Sequence, residues 1–168
     1  MRVFKEEQRF DHWWIKLVNF GLLAFLIYCA YNWYFLKKSV GNVEVNNYIG
    51  QATVFISFVL PVLYLYSIKV KTIIDEAGIH YQFFPLHFTP KIIRWNEIHR
   101  CYVREYNPLK EYGGWGYRNP FGKNKAINVK GNQGIQIALK SGKKLLLGTQ
   151  KEKDASKVIE RYSKIGNE

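Results

Sequence analysis

From residue 17 to 36, and again from 48 to 68, the chain carries no charged side chain. At about 1.5 Å per residue, each run can cross a hydrocarbon core of about 30 Å, so the pattern predicts two transmembrane helices over about 15–36 and 48–68. After residue 69 the apolar positions fall into short runs broken by turn residues, which is the pattern of strands. The last stretch changes again. Ala155, Val158, Ile159, Tyr162 and Ile165 recur at helical spacing before Gly166, and Thr149-Gln150-Lys151-Glu152 reads as a capping box ahead of them. The pattern divides the chain into residues 1–68, an N-terminal segment with two spans, and a separate domain over residues 69–168.

The flanks of the first span support a membrane reading. Trp13 and Trp14 stand at one end and Tyr31, Trp33 and Tyr34 at the other, before Lys37 and Lys38, and aromatic rings favour the headgroup level. A signal peptide has a shorter apolar core and a small-residue cleavage site, which Tyr-Asn-Trp-Tyr-Phe-Leu-Lys-Lys does not offer. In the second span Pro61 removes a backbone donor and is expected to kink the helix. Gly50 and Ser57, with Asn19 and Asn32, form either a close helix seam or a polar pathway. The seam is preferred because no Asp, Glu, Arg or His lies inside either run to relay protons or carry ions.

Only residues 37–47 join the spans, so a tight antiparallel hairpin leaves both chain ends on one side. The loop holds two lysines against six basic residues on the outer flanks: Arg2, Lys5, Arg9, Lys16, Lys69 and Lys71. Under the positive-inside rule both termini are cytoplasmic, at the inner or plasma membrane of a cell. Cys29 and Cys101 show neither CxxC nor Cys/His metal spacing and read as two isolated buried thiols.

Within residues 69–168 the strand segments are 70–75 and 79–84 around Glu76-Ala77-Gly78, then 91–95, 99–106, 126–130, 134–140 and 143–147. Ser141-Gly142 is expected to close the last pair as a two-residue turn. The expected architecture is a membrane α-helical hairpin joined to an α+β domain, in which a seven-stranded bent sheet or barrel is capped by a C-terminal helix.

Three motifs carry a resemblance: Ile74-Asp75-Glu76-Ala77-Gly78-Ile79, the step Trp95-Asn96-Glu97-Ile98, and the run from Gly134-Ile135-Gln136 through Ser141-Gly142-Lys143-Lys144 to Gly148-Thr149. In this order they resemble the bacterial pleckstrin-homology-like domains that follow a pair of transmembrane helices. The resemblance covers about residues 69–165. It implies a small β-barrel or sandwich at the inner face of a bacterial membrane, with no activity general to the family and no binding site carried over. Eukaryotic relatives that bind phosphoinositides use basic residues in the first hairpin loop, where this chain has Glu76-Ala77-Gly78.

Charge narrows the partners. Residues 69–168 hold 19 Lys and Arg against 9 Asp and Glu, and the first 68 hold 6 against 4, within a total of +12. A basic domain beside an anionic leaflet gains up to about 1 kcal/mol per basic residue near the surface. The candidate contacts to lipid or to a protein partner are Trp115, Tyr117, Arg118, Lys123, Lys125 and Lys130 near the glycine-rich loop, and Lys140, Lys143 and Lys144 around the last hairpin. The alternative is a solvated basic face. No helix-turn-helix, zinc-binding or RNP-type pattern accompanies these residues, so nucleic acid is not an expected partner.

Catalytic patterns are not found. His12, His80, His87 and His99 lack metal spacing, no Gly-x-Ser-x-Gly elbow occurs, and Gly116 to Lys123 has the wrong spacing for a phosphate loop and precedes a strand. No catalytic residue, metal or cofactor is therefore expected. The segment 112–125, with three glycines in four residues, reads either as a binding loop on a rigid scaffold or as a crossover with Trp115 capping the core. The function expected is a membrane-anchored, non-enzymatic interaction module that contacts anionic lipid or a protein partner. An oligomeric pore or transport-accessory protein built from the hairpins is the competing class, with a homo-oligomer as its requirement, and an enzyme acting on lipid comes third.

Overall fold

A computed structural model describes residues 3–11 and 13–165. Arg2, His12, the helix stop expected at Gly166 and the side chain of Ile165 lie outside the described residues. The chain forms two compact units, one of residues 11–67 and one that joins the segment ending at Phe10 to the segment starting at Ile68.

In the first unit, α1 (Trp13–Ala30) continues through a π-helical turn (Tyr31–Phe35), and α2 (Tyr48–Ser67) runs unbroken through Pro61. Both are long and apolar enough to cross a membrane. Only Ile15 and Cys29 of α1 and Gln51 of α2 are buried, while Phe20 and Ile49 are 75% and 83% exposed. Helices apolar all round and so little covered call for an apolar medium around them.

Several polar side chains of this unit are bonded within it. Asn19 donates from Nδ2 to the Tyr66 hydroxyl at 2.9 Å and ties α1 to α2, while Asn32, Thr53, Ser57 and Ser67 donate to carbonyls three or four residues back on their own helices. Of these bonds only Asn19–Tyr66 crosses between the helices, and the neighbours of Gly50 are Asn47 and Val43 of the turn. At the turn, Trp33 Nε1 donates to Val43 O and Gln51 Nε2 to Val45 O, and the Asn47 side-chain oxygen accepts from Gly50 N as the N-cap of α2.

Among the described residues the second unit holds nine strands instead of the expected seven. They are β1 (Phe4–Arg9), β2 (Lys69–Ile74), β3 (Gly78–Phe84), β4 (Lys91–Arg94), β5 (Ile98–Glu105), β6 (Gly116–Arg118), β7 (Asn124–Asn128), β8 (Gln133–Leu139) and β9 (Lys144–Gly148). Helix α3 (Pro108–Tyr112) lies between β5 and β6, and α4 (Glu152–Ile165) follows β9. One sheet has the order β1-β2-β3-β4 and the other β5-β8-β9-β7-β6.

The two additional strands are β1 and β6. β1 comes from the segment ahead of the first apolar helix, so residues 4–9 belong structurally with the part after residue 68. It pairs antiparallel with β2, from Phe4↔Ile74 to Arg9↔Lys69. In the second sheet β9 inserts between β8 and β7 and runs parallel to β7. The β8–β9 turn has three residues, Lys140-Ser141-Gly142, where two were expected: Leu139 N donates to Lys143 O at 2.8 Å and Gly142 takes φ +78°. The first hairpin needs its glycine, since Gly78 has φ +154° and a Cβ there would strike the Ile93 carbonyl.

The core lies between the sheets and under α4. Val70, Ile74, Ile79, Ile127, Ile135, Ile137 and Leu147 meet Ala155, Val158, Ile159 and Tyr162 from the helix. Trp95 stacks on Tyr162 with centroids 6.1 Å apart and donates from Nε1 to Asp75 O at 2.8 Å, so it fastens α4 to the first hairpin.

The start of α4 is built differently from the expected capping box. Thr149 N donates to Gln133 O and is not available to Glu152, and the helix opens with Ala155 N donating to Lys151 O. The carboxylate comes from β1 instead. Glu6, 5% exposed, accepts from the Thr149 hydroxyl at 2.6 Å and from Gln150 N at 2.7 Å, while Gln8 Nε2 donates to Gly148 O at 2.6 Å. Buried bonds to a charged acceptor contribute about 1.5–3 kcal/mol each. Glu6→Ala is expected to destabilise the protein by on the order of 3 kcal/mol, and Thr149→Val by on the order of 2 kcal/mol, in denaturant unfolding of the detergent-solubilised chain. Unchanged midpoints would show that β1 is not held by these bonds.

Candidate functional site

The glycine-rich segment is ordered from its own sequence. Asn107 caps α3, its Oδ1 accepting from Leu109 N and Lys110 N with Pro108 in the first turn, and Gly113 at φ +71° ends the helix. Arg104 on β5 then clamps α3 to the sheet, donating to both Glu111 oxygens at 3.2 and 2.6 Å and to Gln136 Oε1 at 3.1 Å. That bonding holds the Glu111 carboxyl below the usual carboxylate range.

Asn128, fully buried, accepts from Gly116 N at 2.9 Å and donates to the Tyr106 hydroxyl at 2.8 Å, which fixes where β6 begins. Trp115 is half-buried and donates from Nε1 to Gly131 O at 3.1 Å. It lies outside both buried clusters, so the segment is a strand crossover whose tryptophan braces a neighbouring turn.

The nine residues singled out by sequence do not form one cluster. Tyr117 on β6 turns toward the first sheet, its ring stacked on Phe83 at 5.7 Å and edge-on to His87 at 5.3 Å. Arg118 is exposed and donates from Nε to Trp115 O. Lys123 O accepts from Lys144 N at 2.7 Å, so the β6–β7 and β8–β9 turns lie side by side and bring Lys123, Lys140, Lys143 and Lys144 to one edge. Lys130 stands past the opposite end of β7 from Lys123 and Lys125, and its carbonyl accepts from Gln150 Nε2.

Sequence reading missed exposed apolar residues in two loops. Phe121, on the β6–β7 turn, is completely exposed. Phe88 and Leu86, in the loop after β3, are 82% and 54% exposed. That loop is held from beneath by His87, which is buried, accepts at Nδ1 from Phe83 N and packs on Tyr81 and Tyr117. Gln82 Nε2 donates to the carbonyls of His87 and Phe88, both at 3.0 Å. Each of these residues reads singly in the sequence as a strand-end hydrophobe, and only the fold shows that each is exposed.

Chemistry is sparse. Among the described residues no three His, Cys, Asp or Glu side chains group as a metal site. Burial pushes the Cys101 thiol up to about 12, which leaves it unreactive near neutrality. An open groove of about 540 Å³ between Tyr102, Arg104, Glu111, Tyr112, Gln136 and Lys144 has its one acid, Glu111, already paired with Arg104. Neither a family model nor a curated protein sequence matches this chain.

Two expectations follow from this geometry. Burial, helped by Lys91 and Lys125, depresses the His87 pKa. The stability this contributes is fully present above the unfolded value of about 6.5 and is lost as pH falls through the lower folded value. His87→Gln is therefore expected to flatten the thermal stability profile between about pH 7 and pH 5, whereas a slope equal to wild type would remove His87 as its source. Trp115→Phe loses one hydrogen bond and should cost about 1 kcal/mol. A loss on the order of 4 kcal/mol, as for a core aromatic, would restore the core-cap reading.

Proposed function

We propose that this protein is a membrane-anchored, non-enzymatic interaction module, in which a two-helix hairpin holds a pleckstrin-homology-like domain at the cytoplasmic face. The domain reading draws on the sheets of four and five strands with a C-terminal helix, which are compatible with that fold. With β1 and β6 set aside, the remaining strands are the seven that the resemblance implies. The parallel β7–β9 pair and the strand lent by the N-terminus are departures from it.

The observation that carries the anchoring is the pairing of β1 with β2. β1 ends four residues before α1 and β2 starts two residues after α2, yet Arg9 and Lys69 are register partners. A chain that crosses a bilayer twice returns to the side it left, and only an even number of crossings lets these strands pair. The six-to-two basic bias assigns that side to the cytoplasm. A pore is disfavoured, since Asn19 is bonded across to Tyr66, and Thr53, Ser57 and Ser67 to carbonyls of their own helix.

Single cysteines test the topology. In intact cells an impermeant maleimide is expected to label Ser39→Cys and to leave Lys157→Cys unlabelled until the cells are opened. The native thiols add little background, as Cys29 is buried and the Cys101 thiol is held protonated. Labelling at 157 but not at 39 would reverse the orientation, and labelling at both would remove the two-span reading.

A further inference from the structure

Two loops with three exposed apolar side chains, and lysines beside them, lie at one end of the sheet domain, and that end is the one from which the chain leaves for its apolar helices. The register defines it. Arg9, Lys69 and Phe84 are neighbours across β1, β2 and β3, so the loop after Phe84 emerges where β1 ends and β2 begins. The β6–β7 turn reaches the same end, because Tyr117, four residues before Phe121, contacts both Phe83 and His87. Lys69 Nζ lies over the Phe84 ring at 5.3 Å, and Lys91 and Lys125 are close enough to His87 to act on its charge.

We propose that this end is a lipid-docking surface, in which Phe121, Phe88 and Leu86 enter the headgroup region of the leaflet that anchors the chain while Lys69, Lys91, Lys123 and Lys125 receive anionic lipid phosphates. The proposal rests on the two-span reading above. Its occupant is fixed by covalent reach, since Lys69 stands two residues beyond Ser67, the last residue of α2, and two residues span at most about 7 Å. A sheet edge held that near the end of a span meets headgroups before it meets any soluble partner. The side chains also suit the place: aromatic rings and snorkelling lysines are what interfaces select. Phe121 is wholly exposed, so no packing inside the domain accounts for it.

The test uses the full chain with Cys29 and Cys101 replaced by alanine and Phe121→Cys carrying an environment-sensitive fluorophore, reconstituted into phosphatidylglycerol–phosphatidylcholine vesicles. The expected result is blue-shifted emission, quenched more by lipids spin-labelled near the headgroup than by those labelled at the chain end. A probe at Ser156→Cys on the exposed face of α4 should stay water-like. In pure phosphatidylcholine the docked fraction should fall, and replacing Lys91, Lys123 and Lys125 by glutamine should lower the docked-to-undocked ratio by up to about fivefold each in anionic vesicles. Water-like emission at 121 in both lipids overturns the proposal. A dry probe that lipid labels do not quench, with disulfide crosslinking at position 121 in the same variant left unlabelled, overturns it in favour of a second copy. Cysteine topology at 39 and 157 is read on the same preparations, so a failure of docking is distinguishable from a failure of anchoring.

Discussion

The carboxylate of Glu6 is the interaction on which the architecture turns. It is made before the first apolar helix, yet it accepts from Thr149 and Gln150 at the start of the last helix, 143 and 144 residues away. With it β1 becomes both the edge of one sheet and the brace between β9 and α4 of the other. A negative charge at a helix N-terminus also meets the positive end of the helix dipole. Withdrawing it would leave the hydroxyl of the buried Thr149 without its acceptor, which is more costly than never having formed the bond.

That bond gives the domain an unusual dependence. Two strands bracketing a helical hairpin must be paired for the sheet to be complete, so the domain closes only after both apolar helices have been made and the chain has returned. Contacts spanning most of the sequence carry a large loop-closure entropy and form late. The hairpin thereby serves as the connection between two paired strands, and folding of the domain is linked to correct return of α2.

Seven of the nine strands were legible because each alternates or runs apolar between turn residues. β1 was not, for a specific reason: its inward positions are Phe4, Glu6 and Gln8, two of them polar, so no apolar period marks it. The buried polar pair is affordable only because partners arrive from residues 148–150, which no local window contains. β6 was hidden by its three-residue length and its glycine, and the capping box expected over Thr149-Gln150-Lys151-Glu152 does not form, because Thr149 N is bonded to Gln133 O and the carboxylate at this point comes from β1. Within the candidate site the lysines were legible as charges but not as groups. The two sides of β7 separate Lys130 from Lys123, and an exposed Phe121 looks in sequence like any core phenylalanine.

The apolar and basic parts of the proposed docking end act on different terms. Full burial of a phenylalanine contributes about 1.5–3 kcal/mol and does not depend on salt, whereas each lysine near an anionic surface contributes about 1 kcal/mol and is screened within a Debye length of about 8 Å at physiological ionic strength. Either set alone gives only weak binding to a vesicle from solution. A tether changes the arithmetic, because an anchored domain meets its own leaflet at an effective concentration of about millimolar without paying again for translational freedom. Weak contacts then suffice to fix orientation, with the aromatic tips setting depth and the lysines setting preference for anionic lipid. The division also leaves the Glu76-Ala77-Gly78 turn at the other end of β2 and β3 from Lys69 and Phe84. In that orientation the acidic first hairpin is presented to the aqueous side, where repulsion from anionic headgroups is least.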